Sequence, residues 1–123
     1  MAKELTLPDA TLPVLDDAVL SREFGDSPEI LAELRDLFKQ QVTEVNAELC
    51  AAVAAADAVR LARAAHHLKG ACVTYGALRL AAVCAELEQL GKQAALDVAA
   101  DYLAVLASEG ERVVVAITGL TDP

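Results

Sequence analysis

DAVRLARAAHHLKGACVTYG, residues 57–76, reads as one amphipathic helix with its own start and stop. Leu61, Ala65, Leu68, Cys72 and Tyr75 recur every three or four residues, which puts them on a single stripe facing a core. Asp57 is suited to cap the first turn, and Gly76 to end the helix in a left-handed residue followed by a tight turn. At about 100° per residue, His66 falls roughly 120° from the centre of the stripe, so it is expected to face solvent. Its neighbours on the helix surface are Ala62, Arg63, Lys69 and Gly70. Glycine inside a helix costs about 1 kcal/mol relative to alanine, and the use that offsets it here is clearance beside the imidazole. Val59 and Val73 lie near the same face and offer apolar contact to a partner.

Beyond Gly76, the residues Ala77, Leu80, Ala81, Cys84, Leu87 and Gly91 form a second stripe whose small members allow close packing against the histidine-bearing helix. Upstream, Ser27-Pro28-Glu29 is a helix start, with a capping hydroxyl, a proline pre-organised for the first turn and an acid at the positive end. Leu31, Leu34, Phe38, Val42, Val45, Leu49, Ala52 and Ala56 then hold one apolar stripe up to Asp57, so the turn there is very short and the two helices are antiparallel. Asp16 or Asp17 can cap a short helix ending near Phe24, which needs a larger body to lie on. A last helix is expected from about Ala94 towards Ile117, with Ala99, Leu103, Leu106, Val113 and Ile117 inward and a bend or break at Gly110. Residues 1–14, with Pro8 and Pro13 and no sustained period, read as a flexible arm. The fold expected is all-α: an antiparallel, up-and-down four-helix bundle with a short N-terminal lid helix, in a single domain over residues 1–123.

Composition agrees. Of the 123 residues 55% are hydrophobic but only 3% aromatic, and alanine, a strong helix former and weak strand former, dominates the apolar set. The net charge of −9 excludes a nucleic-acid binder, which needs a basic surface to displace counterions. No apolar run reaches the roughly 18 residues of a membrane span, and Met1-Ala2-Lys3-Glu4 opens no signal peptide, so no membrane association and a cytoplasmic location are expected. Cys50, Cys72 and Cys84 are odd in number and unlike metal-binding pairs in spacing; they read as reduced core residues, and no metal site is expected.

His66-x-Leu68-Lys69-Gly70, followed by Gly76-Ala77, Leu80, Cys84 and Leu87-Glu88, resembles the signature of histidine-containing phosphotransfer (HPt) domains. The resemblance runs from about Leu15 to the last helix, and residues 57–88 carry its specific motifs. It implies that His66 is the phosphoacceptor, Lys69 the compensating charge, Gly70 the clearance position and Gly76 the turn after the active helix. Ala62, Arg63, Val73 and Val59 are the expected partner-binding residues around them. The partners implied are response-regulator receiver domains and a sensor or hybrid histidine kinase. The chain would act as a phosphocarrier and not an enzyme, as a monomer, with no cofactor of its own; Mg²⁺ would come with the receiver. His67 occupies the variable position of the motif and reads as a bystander. The sequence departs from the family pattern after the glycine, where Ala71-Cys72 preserves the packing volume of the Ser or Ala usual there and Val73, Thr74 and Tyr75 stand at positions that often hold small or polar residues, which bears on partner choice more than on fold.

A lone imidazole suits this chemistry, because its neutral form offers a lone pair near neutral pH without a base to activate it. Two alternatives compete. The phosphoacceptor region of a sensor kinase usually has an acid directly after the histidine, whereas His67-Leu68 follow here and no glycine-rich nucleotide box is present. A helical-bundle interaction module with an inert histidine would account for the periodicity but not for the spaced Lys69, Gly70 and Gly76.

Overall fold

The computed structural model describes Pro8 and residues 11–121, so most of the expected arm, residues 1–7 and 9–10, lies outside the described residues. Five helices follow in order: α1 (Asp17–Phe24), α2 (Pro28–Ala54), α3 (Ala58–Tyr75), α4 (Leu78–Lys92) and α5 (Leu96–Thr121). No strand occurs among the described residues. Helices α2 to α5 form an antiparallel ring in which α2 touches α3 and α5, and α4 touches the same two, while α1 lies on α3. The result is an up-and-down four-helix bundle with a lid.

The expected caps are in place. Asp16 accepts from the amides of Ala18 and Val19, Ser27 from Ile30, and Asp57 from Arg60 at 3.0 Å. Each satisfies backbone donors that a first helical turn leaves without partners. The five residues of the α3 stripe, Leu61, Ala65, Leu68, Cys72 and Tyr75, are the buried residues of that helix. At 27 residues α2 runs about 40 Å, longer than the 18-residue α3, so α2 and α5 overhang the end at which α3 stops. Helix α1 covers that end. The Asp16 amide donates to the Gly76 carbonyl at 2.8 Å, and the Tyr75 ring packs between Phe24 and Phe38 at centroid distances of 5.4 and 4.9 Å. Val14 and Leu15 already pack against the core.

Three turns join the four long helices, and all use one device. The amides of Ala56 and Asp57 donate to Val53 and Ala52; those of Gly76 and Ala77 to Val73 and Cys72; those of Ala94 and Ala95 to Gly91 and Leu90. This paired closure requires a left-handed residue. Gly76 supplies it as expected with φ 79°, but Ala56 and Ala94 supply it at φ 54°. Two expectations are corrected on this account. Ala56 is an exposed turn residue outside the α2 stripe, and α5 starts at Leu96, after the turn, and not at Ala94.

Gly110 does not break α5, which is continuous to Thr121. A methyl group there would stand 2.8 Å from Val42 Cγ1, so the glycine allows α5 to approach α2 closely. Cys50 is another correction. It follows Leu49 by one residue, about 100° around α2, and is exposed, while Cys72 and Cys84 are fully buried. Tyr102, absent from the expected stripe, is fully buried on α5 beside Leu106. Arg79 on α4 holds the buried Glu109 of α5 through two bonds of 3.1 and 2.9 Å, a pairing that satisfies a charge otherwise costly to bury.

Candidate functional site

His66 stands on the outer face of α3 with its side chain 67% exposed, as its angle from the buried stripe requires. Val59 and Val73 are exposed on the same face, and Arg63 is exposed one turn back. Ala62 is half-buried: a methyl group on Gly91 would lie 2.8 Å from the Ala62 backbone nitrogen, so α3 and α4 touch there almost backbone to backbone. This close approach brings α4 side chains within reach of the imidazole.

The side chain that reaches it is Glu88. One carboxylate oxygen, Oε2, lies 3.0 Å from His66 Nδ1, and the other, Oε1, accepts from Lys69 Nζ at 2.7 Å. Lys92, one turn further along α4, places its ammonium 3.5 Å from Oε2. The Glu88 side chain is only 9% exposed. Its pKa is held down at about 2, first by the Lys69 hydrogen bond and then by the charges of His66, Lys69 and Lys92, with partial burial acting in the opposite direction. At neutral pH this carboxylate is therefore ionised and can only accept. The proton it accepts must be carried by Nδ1, so in the neutral ring the lone pair is on Nε2.

Lys69, expected beside the imidazole, thus has its ammonium on Glu88, and its side chain is one-third exposed. Gly70 is exposed, and a methyl group there would meet nothing within 4 Å. No contact among the described residues therefore requires glycine at this position. Ala62, Arg63, His66, Glu88 and Lys92 line a shallow depression of about 350 Å³. His67 faces the other flank of α3, in a depression of about 410 Å³ shared with Glu44, Glu48, Arg60 and Arg63. Arg60 bridges α3 to α2 there by holding both carboxylate oxygens of Glu48, one of them at 3.0 Å, which lowers the Glu48 pKa. Cys72 and Cys84 lie in the core, and hydrogen bonding with Cys84 and burial push the Cys72 pKa up.

Glu88 and Lys92 are the site residues that sequence reasoning passed over. A signal existed. Reflecting α3 about the tight turn at Gly76-Ala77 sets His66 opposite residues 86–88, and of the acids there only Glu88 shares a face with Leu80, Cys84 and Leu87. Lys92 then follows at the next turn on the same face.

Comparison with known proteins gives one consistent picture. The family model described as "Hpt domain" matches residues 33–116. Among curated proteins none matches. Among solved structures, the crystal structure of histidine-containing phosphotransfer protein B from Pseudomonas aeruginosa PAO1 superposes with a TM-score of 0.78. Sequence identity is 31%, and the match covers 90% of this chain and 96% of that one.

Proposed function

Because the chain belongs to the Hpt domain family and is a histidine phosphotransfer protein of a phosphorelay, we propose that His66 is its phosphoacceptor. In this reading His66 takes the phosphoryl group from the aspartyl phosphate of one receiver domain and delivers it to another. The observation that carries the assignment is the bond between the Glu88 carboxylate and His66 Nδ1, on an imidazole whose side chain is 67% exposed, which assigns the lone pair of the neutral ring to Nε2.

The Nε2 lone pair attacks phosphorus, the acyl phosphate P–O bond breaks, and its electron pair returns to the receiver carboxylate. The Nδ1 proton stays on the ring, whose growing positive charge faces Glu88. Lys69 keeps Glu88 in place and adds positive charge to the site. Gly70 leaves the approach to the imidazole open, and Val59, Val73, Arg63 and the exposed edge of Ala62 offer the receiver a contact surface around it. The receiver brings Mg²⁺ and its acidic pocket, so catalysis belongs to the partner and this chain is the carrier. The partner set is receiver domains and a sensor or hybrid histidine kinase; the chain acts as a monomer and as one domain, in the cytoplasm.

The test is intact-mass analysis after exposure to a phosphorylated receiver domain with Mg²⁺, for the native chain, His66→Gln and His67→Gln. One acid-labile phosphoryl group, lost only in His66→Gln, is the expected outcome. Labelling that survives His66→Gln and disappears in His67→Gln would move the acceptor to the other flank of α3.

A further inference from the structure

Arg63 and His67 stand one turn apart on α3, an i, i+4 pair that presents two side chains to one place. At about 100° per residue they lie roughly 60° and 100° around the helix from His66, on the side that turns toward α2. Arg63 lines the depression around His66 and also the larger one of about 410 Å³ between α2 and α3, in which His67 stands. The two depressions meet at Arg63, so a molecule seated over the acceptor reaches both side chains.

Both are exposed, and neither has a hydrogen bond or ion pair among the described residues. The acids across the groove are already bonded. Arg60 holds both carboxylate oxygens of Glu48, and Glu44 accepts from Gln40 at 3.0 Å. On the other flank of His66, Lys69 and Lys92 both contact Glu88. Arg63 and His67 are thus the donors beside the acceptor that the fold leaves without a partner. A guanidinium always donates and an imidazole offers at least one N–H in either protonation state, so together they suit one carboxylate, which accepts at both oxygens. The spacing gives the helix itself nothing, because like charges at i, i+4 repel. The chain carries a net charge of −9, so a carboxylate is repelled over much of the surface and attracted at this flank.

We propose that Arg63 and His67 form a fork for an acidic side chain of the docking receiver domain, at the rim of the contact and away from the phosphoryl group. The inference rests on His66 taking its phosphoryl group from a receiver. His67 is in these terms a specificity residue: it holds the partner over His66 and takes no part in making or breaking bonds.

Two donors separate recognition from chemistry. With a small phosphoramidate, Nε2 attacks phosphorus, the donor P–N bond breaks and ammonia leaves, so no partner surface is involved. The second donor is the phosphorylated receiver domain, with Mg²⁺, that labels the native chain with the highest kcat/KM among a panel. The native chain, His67→Ala, His67→Arg, Arg63→Ala and the double alanine variant are compared, with urea midpoints checking the fold. His67→Ala is expected to raise the KM for the receiver about fivefold at low salt with kcat unchanged, and His67→Arg to restore it. The rate of His67→Ala with the phosphoramidate should stay near native. The double variant should fall short of the product of the two single effects, since both donors hold one carboxylate. At about 1 M salt the difference between His67→Ala and the native chain should shrink. An unchanged KM for the receiver in His67→Ala, or equal slowing with both donors, overturns the fork and leaves the acceptor assignment standing. Label on His66 from the phosphoramidate but from no receiver overturns receiver docking and the fork with it. Absence of label from His66 with either donor overturns the acceptor assignment itself.

Discussion

Glu88 Oε2 lies 3.0 Å from His66 Nδ1 although the two residues belong to different helices and are 22 positions apart. The contact depends on the close passage of α4 over α3 where Gly91 meets Ala62. Replacing Glu88 by Ala removes the only acceptor the structure gives His66 Nδ1 among the described residues. The ring then divides between its two tautomers, and the form with a free Nε2 lone pair loses its support. Phosphorylation at His66 is expected to slow by about tenfold, the usual scale for one charge-assisted bond. Long-range ¹H–¹⁵N spectra check the cause independently of rate: the native ring should show the proton on Nδ1, and Glu88→Ala a mixture.

The same carboxylate makes stability depend on acid. With the native pKa near 2 against an ordinary value of 4.5, the unfolded chain binds a proton at Glu88 between those limits while the folded chain does not. Stability from this group is therefore fully present above about pH 4.5 and is lost as pH falls through 2. Urea denaturation of the native chain and Glu88→Gln at pH 3 and pH 6 measures it. The native chain should lose more stability on acidification than the variant; equal losses would show that other carboxylates carry the acid response.

A different kind of residue shows where sequence reading stopped. Gly76 was legible because glycine marks a left-handed turn, and the turn is there. The two matching turns at Ala56 and Ala94 were not legible, since alanine is the residue that most strongly signals helix and carries no mark of positive φ. That is why α2 was read two residues too long and α5 two residues too early. Each alanine bears strain that glycine lacks, so Ala56→Gly and Ala94→Gly should each stabilise the fold by about 0.5–1 kcal/mol, read as a shift in the urea midpoint at constant slope.

The helices, most of their stripes and the exposed His66 were legible from periodicity and the caps from residue type, because each depends on contacts a few residues apart. The pairings Glu88 with His66 and Arg79 with Glu109 were not. They depend on rotation and register between helices, set by small residues such as Gly91 and Gly110 whose meaning appears only when the partner surface is known.

Gly70 and Gly91 therefore predict opposite outcomes for one chemical change. Within a helix, glycine to alanine gains about 1 kcal/mol of propensity where space is free. Gly70 has free space, since an added methyl meets nothing within 4 Å, and Gly70→Ala should raise stability by up to about that amount. Gly91 has none: the methyl would come within 2.8 Å of Ala62 backbone atoms, which cannot rotate away, so Gly91→Ala should destabilise by about 1–3 kcal/mol. The more stable variant is also the one that should transfer poorly. If the room over Gly70 receives the partner, Gly70→Ala slows phosphorylation by a receiver domain while leaving phosphorylation by a small phosphoramidate near the native rate. Equal slowing with both donors would place the effect on the imidazole itself, and no slowing with either would remove clearance as the reason for glycine at this position.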